Sequence, residues 1–181
     1  MDLNHSEEDW ILRKINKKDI SSLSLLARKT FEDTFRGTCS DEDLETFCHN
    51  TYNEEVLLEE YENPLSEVWV IEIEEKLIAY LKLNFSAPLP SPEIGKGLEV
   101  QRLYVHQNYL RLKIGKRLMD HAKYRAKSQG EIKIWLGVWE FNERAKKFYE
   151  GLGFRYFGTH PFPIGNTPQT DLWMVKDLEA S

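Results

Sequence analysis

The sequence predicts a single-domain, mixed αβ (α+β) protein on a mostly antiparallel mixed sheet, and three observations predict it. Its 181 residues are 41% apolar and 12% aromatic, which suits one domain of ordinary size with a real core and not a disordered chain. Strand-like and helix-like runs alternate along the whole length with no internal repeat, low-complexity segment or linker, so residues 1–181 read as one unit. A strand–helix–strand stretch in the middle implies local parallel pairing with a right-handed crossover, while hairpins on either side imply antiparallel strands.

In chain order, "WILRKI" from Trp10 to Ile15 reads as a short first strand. Asp19 can cap a helix over Ile20–Phe35, where Leu23, Leu26, Ala27, Phe31 and Phe35 fall near helical spacing. Ser40 can cap a second helix with Leu44, Phe47 and Cys48 on one face. Asn53 can cap a short third one with Val56, Leu57 and Tyr61, ended by Asn63-Pro64. "EVWVIEIEEKLIAYLKLNF" has the marks of a hairpin: Val68, Val70 and Glu72 alternate against Trp69, Ile71 and Ile73. Glu74-Glu75 is the turn, although it lacks Asn-Gly chemistry. The Pro-rich "SAPLPSPEIGKG" has no place inside a sheet. Leu98–Val105 is a strong strand. A helix follows with Ile114, Leu118 and Ala122 spaced by four, then a strand over Ile132–Val138. Asn142 caps a further helix with Ala145, Phe148, Tyr149 and Leu152 on one face, and Gly151 and Gly153 stop it. Two strands close the chain, around Phe154–Thr159 and Asp171–Val175, separated by the turn-rich "PFPIGNTPQT".

Composition narrows the function classes. No apolar run approaches the roughly 20 residues that span a bilayer, and "MDLNHSEEDW" is too polar and acidic for a secretory signal. Cys39 and Cys48 alone offer neither a disulfide framework nor a zinc pattern and fit the reducing cytoplasm; the five histidines lack ligand spacing, so no metal is expected. A net charge of −6 disfavours nucleic acid as a partner. The charge is uneven: Ser40–Asn63 holds nine carboxylates and no Lys or Arg, whereas Arg111–Lys127 holds seven cations and one Asp. These are either solvated helix faces or surfaces favouring cations and anions respectively.

The basic stretch "NYLRLKIGKRLMDHAKYRAK" opens a helix at Gly115, amid Arg111, Lys113, Lys116 and Arg117. A helix N-terminus offers unpaired N–H groups and the positive end of a dipole, so with these cations it suits a phosphate or pyrophosphate. Neither GxxxxGK[ST] nor GxGxxG occurs, and a lone glycine in a basic loop is equally a structural feature.

Downstream stands "NERAKKFYEGLGF", Asn142 to Phe154. Together with the preceding strand, basic glycine loop, helix and strand, it resembles the GNAT superfamily of N-acetyltransferases, over nearly the whole chain from Trp10 to Val175. "ARKTFEDTF", "SDEDLETF", "FYEGLGF" and "PQTDLWM" resemble in particular the bacterial polyamine acetyltransferases of the PaiA type. The family's loop, Gln/Arg-x-x-Gly-x-Gly/Ala, falls on Leu110–Gly115. Leu110 replaces the usual Gln or Arg, Lys113 replaces the first glycine, and only Gly115 fits.

The resemblance implies a GNAT fold with helices on both faces of the sheet, and acetyl-CoA as cosubstrate without a metal. The backbone of Leu103, Tyr104 and Val105 would hold the pantetheine arm. The loop of Arg111, Leu112, Lys113, Ile114, Gly115 and Lys116 would cradle the pyrophosphate, with Lys113 either adding charge or pointing to solvent. Asn142 would contact the cofactor or serve as a plain helix cap, and Arg144 or Lys147 would meet the outer phosphates. Tyr149 stands at the family's general acid, unless it is a core tyrosine. Glu99, fourteen residues before Lys113, stands at the spacing of a base carboxylate; the other readings are an exposed strand Glu with water as the base. Leu103 or Val105 would donate its N–H to the thioester oxygen.

The acidic helices would lie over the acceptor side and attract a polyamine. Phe31, Phe35, Tyr52 and Trp69 would be either core or cation–π walls of that site. The implied activity is direct acetyl transfer to a primary amine, with a polyamine as the acceptor that the narrower resemblance suggests. A peptide N-terminus or lysine as acceptor, or a CoA-binding regulatory module with little catalysis, remain as alternatives, and pairing into a homodimer is open.

Overall fold

The computed structural model describes residues 10–88 and 96–178. The acidic N-terminal stretch and the centre of the Pro-rich loop lie outside the described residues. Seven strands form one sheet in the order β1-β2-β3-β4-β5-β7-β6: β1 (Ile11–Lys14), β2 (Ser66–Ile73), β3 (Lys76–Pro88), β4 (Lys96–Val105), β5 (Lys133–Trp139), β6 (Arg155–Pro161) and β7 (Thr170–Asp177). Only β4 and β5 run parallel, and the helix between them makes the crossover. The helices are α1 (Ile20–Phe35), α2 (Asp41–Tyr52), α3 (Glu54–Glu62), α4 (Ile114–Ser128) and α5 (Glu143–Gly151). No helix among the described residues is long and apolar enough to cross a membrane.

Most local expectations have a physical counterpart. Ser40 accepts from the Asp43 N–H and Asn53 from the Val56 N–H, each satisfying an orphan donor of its helix. Asp19 differs: it makes no cap bond to α1. Its carboxylate takes Arg13 in a two-pronged ion pair and accepts from the Asn16 N–H, closing a capping box around a short 3-10 turn at Lys17–Asp19. The Glu74-Glu75 turn has both residues at positive φ, 47° and 64°, which is the twist a two-residue hairpin needs.

The sheet separates two cores. On one side α4 and α5 pack Ile114, Leu118, Met119, Ala122 and Tyr149 onto Ile71, Leu81, Leu83, Leu98 and Val100. On the other, α1, α2 and α3 pack Leu23, Phe31, Leu44, Cys48 and Leu57 onto Val68, Val70 and Tyr80. Trp69 alternates with Val68 and Val70, so it falls on the α4 side. There it meets the His121 ring at 4.0 Å and donates to Glu67.

Candidate active site

The site begins where the sheet opens. β4 and β5 pair only at Leu98–Ile134 and Glu99–Trp135, then diverge. Beyond that point β4 keeps only β3. His106 donates to the Ile78 carbonyl, so by antiparallel alternation Tyr104 and Arg102 are the residues that exchange bonds with β3. The N–H and C=O groups of Leu103 and Val105 therefore face the gap, where no strand meets them. An unpaired stretch of backbone inside a protein invites a ligand that supplies the missing partners.

Two cavities meet at this gap. The larger, about 990 Å³, runs from Leu103–Val105 past the α4 N-terminus to α5. Its walls carry Arg111, Lys113 and Lys116 from the loop, and Arg144 and Lys147 from α5. Ile114 and Gly115 line it, whereas Leu112 is turned into the core beneath. Lys113 precedes α4 at φ 59°, ψ 12°, and Arg111 sits at φ 73°. The loop thus keeps a left-handed conformation at a position the family gives to glycine, with a lysine bearing a strain of about 1–2 kcal/mol. No side chain caps α4, which leaves its first N–H groups directed at the cavity. A Cβ at Gly115 would meet only ordinary contacts, Phe148 at 3.5 Å and Leu103 at 3.9 Å, so the protein's own packing does not demand glycine there.

The smaller cavity, about 310 Å³, lies on the α1–α3 side. Phe31 and Phe35 of α1, Phe47 and Tyr52 of α2, Trp139 of β5 and Phe162 line it. The rings form one cluster, with Phe31 stacked on Phe35 at 4.4 Å and on Phe47 at 4.7 Å. Trp139 is held by its indole N–H to Gln169, 2.8 Å. Phe31, Phe35 and Tyr52 are at most 3% exposed, so they belong to the core and also line the cavity. Trp69, on the opposite face of the sheet, is no part of this wall.

Tyr149 and Asn142 line both cavities. Tyr149 belongs to the core under α5 and reaches the gap between β4 and β5. Its hydroxyl has no protein partner among the described residues, and burial alone pushes its pKa well above the ordinary tyrosine range. Asn142 caps α5 by accepting from the Ala145 N–H at 3.1 Å, which occupies its oxygen.

Glu99 lines neither cavity. It accepts from Asn84 Nδ2 at 2.7 Å, burial raises its pKa, and Asn84, Lys82 and Arg102 oppose that shift. Beside it, Glu60 of α3 turns inward to Lys82 at 2.6 Å and to both Arg102 Nη atoms at 2.7 and 3.0 Å. The Arg102 guanidinium lies 5.0 Å from the Tyr52 ring centroid and forms part of the cavity wall. None of the nine carboxylates of Ser40–Asn63 lines the smaller cavity. The acid that does is Asp171 of β7, within "PQTDLWM", a segment with no local signal that marks the aspartate as part of a site. Burial lifts its pKa to about 6, with His160 opposing the shift.

A mixed sheet that parts between two parallel strands, with an uncapped basic helix start on one side of the gap, offers free backbone to an extended ligand and an anion site beside it. Comparison with known proteins is more specific. The profile of the acetyltransferase (GNAT) family matches residues 27–154, and the chain belongs to that family. It is therefore an N-acetyltransferase with acetyl-CoA as its acyl donor. An uncharacterized N-acetyltransferase in the pepI 3′ region of Lactobacillus delbrueckii subsp. lactis is 33% identical over 91% of this chain and 95% of its own length. The spermidine N(1)-acetyltransferase of Thermoplasma acidophilum is 26% identical over 93% of this chain and 98% of that one. The crystal structure of PaiA N-acetyltransferase from the same organism, in complex with coenzyme A, superposes with a TM-score of 0.78 over 93% of this chain and 99% of that one, at 26% identity.

Proposed function

We propose that this chain transfers the acetyl group of acetyl-CoA directly to a primary amine, and that the amine is a polyamine. The observation that carries the reading is the junction of the two cavities: an aromatic pocket with one unpaired carboxylate opens beside Tyr149 onto the free backbone of Leu103 and Val105.

Each residue then has a task. The N–H groups of Ile114, Gly115 and Lys116, with Arg111 and Lys113, suit a pyrophosphate, and Arg144 and Lys147 suit the outer phosphate. Leu103 and Val105 offer main-chain partners to the pantetheine arm, and one of their N–H groups meets the thioester oxygen as it gains charge. Tyr149 holds a proton for the departing sulfur; its raised pKa keeps the hydroxyl protonated at neutral pH. Asn142 Nδ2 is left over from capping and faces the same junction. The aromatic box suits the alkyl chain of an amine and, through its ring faces, an ammonium. The spermidine acetyltransferase of Thermoplasma supports the choice of polyamine.

The test is a thermal-shift measurement with acetyl-CoA, followed by thiol release across a panel of polyamines, lysine and peptides. Stabilisation by acetyl-CoA and turnover of a polyamine well above any peptide are expected. Preference for peptides overturns the acceptor assignment, and binding without turnover on the whole panel returns the chain to a CoA-binding module.

A further inference from the structure

We propose that Asp171 is the group that takes the proton from the incoming ammonium, so that the acceptor pocket uses an acid–base pair formed by Asp171 and Tyr149. This rests on the amine-acetylating reading above.

Asp171 sits on β7 where it pairs with Trp139 of β5 and His160 of β6. Its carboxylate lines the acceptor cavity together with Tyr149, Leu103 and Tyr104. Among the described residues it has no hydrogen-bond or ion-pair partner, a costly state for a half-buried acid. The chain makes specific room for it: a Cβ on Gly137 would stand 3.1 Å from Asp171 Oδ2, so glycine at 137 clears the space the carboxylate occupies. The titratable and charged groups around it are Tyr104 and Arg102 of β4, Tyr52 of α2, Tyr149 of α5 and His160 of β6. The three tyrosines stay neutral, Arg102 is already bound by Glu60 through two bonds, and His160 is exposed, so none of them occupies the carboxylate. Glu99 is the opposite case, bonded to Asn84 and outside the cavity wall.

The step balances as follows. The ammonium passes one proton to Asp171, and the neutral nitrogen attacks the thioester carbonyl, forming the C–N bond. As the C–S bond breaks, the sulfur takes the Tyr149 proton, and the second proton shed by the new amide nitrogen returns to Tyr149. Asp171 releases its proton to solvent, so each turnover yields an acetamide, a thiol and one proton. A carboxyl group that ionises near pH 6 is charged at neutral pH and is a better proton acceptor than an ordinary aspartate.

The experiment compares pH profiles of kcat/KM for wild type, Asp171→Asn and Glu99→Gln on one polyamine, with acetyl-CoA affinity measured alongside. Wild type should rise through an acidic limb near pH 6. D171N should lose about 10²-fold or more at pH 7, bind acetyl-CoA as before, lose the limb, and climb about tenfold per pH unit toward the amine's own pKa. Gly137→Ala, which crowds the carboxylate without changing its charge, should lower kcat in the same assay and serves if D171N does not fold. D171N turning over at the wild-type rate, a wild type without the limb, or E99Q carrying the loss in its place overturns the assignment of the base alone. A wild type that binds acetyl-CoA and acetylates no amine overturns the amine-acetylating reading instead.

Discussion

The two cavities that meet at Tyr149 are built from different materials. The larger offers free backbone, at the edge of β4 and the uncapped start of α4, beside a loop whose cations project from exposed positions. The smaller gathers side chains, eight aromatic residues with Arg102 and one acid, of which Phe31, Phe35, Tyr52 and Tyr149 are buried. Backbone groups are present whatever the side chain, so they remain on offer although Leu110 and Lys113 stand where the family motif has other residues. A pocket made of side chains has no such independence, and its specificity resides in particular residues. The difference predicts that substitutions in the pocket change turnover, acceptor choice or stability, whereas those in the loop shift cofactor affinity by small amounts.

The largest effect should come from beneath the pocket. Glu60→Ala leaves Lys82 and Arg102 buried without their shared partner. Removing one member of a buried ion pair costs about 3–5 kcal/mol, to be read as a lower urea midpoint with unchanged slope. A loss below 1 kcal/mol would mean the pocket floor repacks freely. Next, Tyr149→Phe removes the hydroxyl at the junction while keeping the ring in the core. We expect kcat to fall by about 10²-fold or more with acetyl-CoA affinity within a few-fold, measured by steady-state kinetics and calorimetry. An unchanged kcat removes Tyr149 as the proton donor.

Asp171 gives a third test that needs no substrate. Its folded pKa, about 6, lies above the ordinary value of 3.8, so folding favours its protonated form. The favourable contribution is fully present below about pH 4 and is lost as pH rises through 6. At pH 7 the ionised carboxylate should cost roughly 2–3 kcal/mol. Asp171→Asn should therefore raise stability at pH 7 by about 2 kcal/mol and change it little at pH 4, measured by urea melts at both values. Equal effects at the two pH values would show that the carboxylate is not desolvated in the folded protein. A variant that gains stability while losing turnover would mark the residue as held in place for chemistry.

How much of this was legible in the sequence follows the same division. Helix caps are local, so Ser40, Asn53 and Asn142 were readable from the chain alone, as were strands with clean alternation. Asp19 misled because its partner Arg13 comes from the preceding strand and competes for the carboxylate. For Trp69 residue type left core and acceptor wall both open, although its alternation with Val68 and Val70 already puts it on the other face. The parting of β4 and β5 had no local signal, since it depends on how two strands separated by a helix diverge. Asp171 was hidden for a related reason: only the β5–β7 pairing brings it opposite Trp139 and near Gly137. A glycine inside an otherwise strong strand at 137 was the available clue to something approaching closely.

The smallest expected effect bears on the loop. Lys113 holds φ 59° without the freedom of glycine, and Lys113→Gly relieves about 1–2 kcal/mol of that strain. Glycine also adds unfolded-state entropy worth roughly 0.5–1 kcal/mol in the opposite sense. The net should be a gain of about 0.5 kcal/mol, measurable as a small rise in Tm. The same change removes one exposed cation from the cleft, so acetyl-CoA affinity should weaken by about two- to fivefold at low salt, with the difference shrinking as ionic strength rises. Lys113→Ala separates the two contributions, because it removes the charge and keeps the strain. If K113G and K113A lose affinity equally and only K113G gains stability, the lysine contributes its charge and the loop's shape is set elsewhere. If K113A loses far more affinity than K113G, the left-handed turn itself is what the cofactor requires, and the backbone account of the larger cavity holds most strongly at this residue.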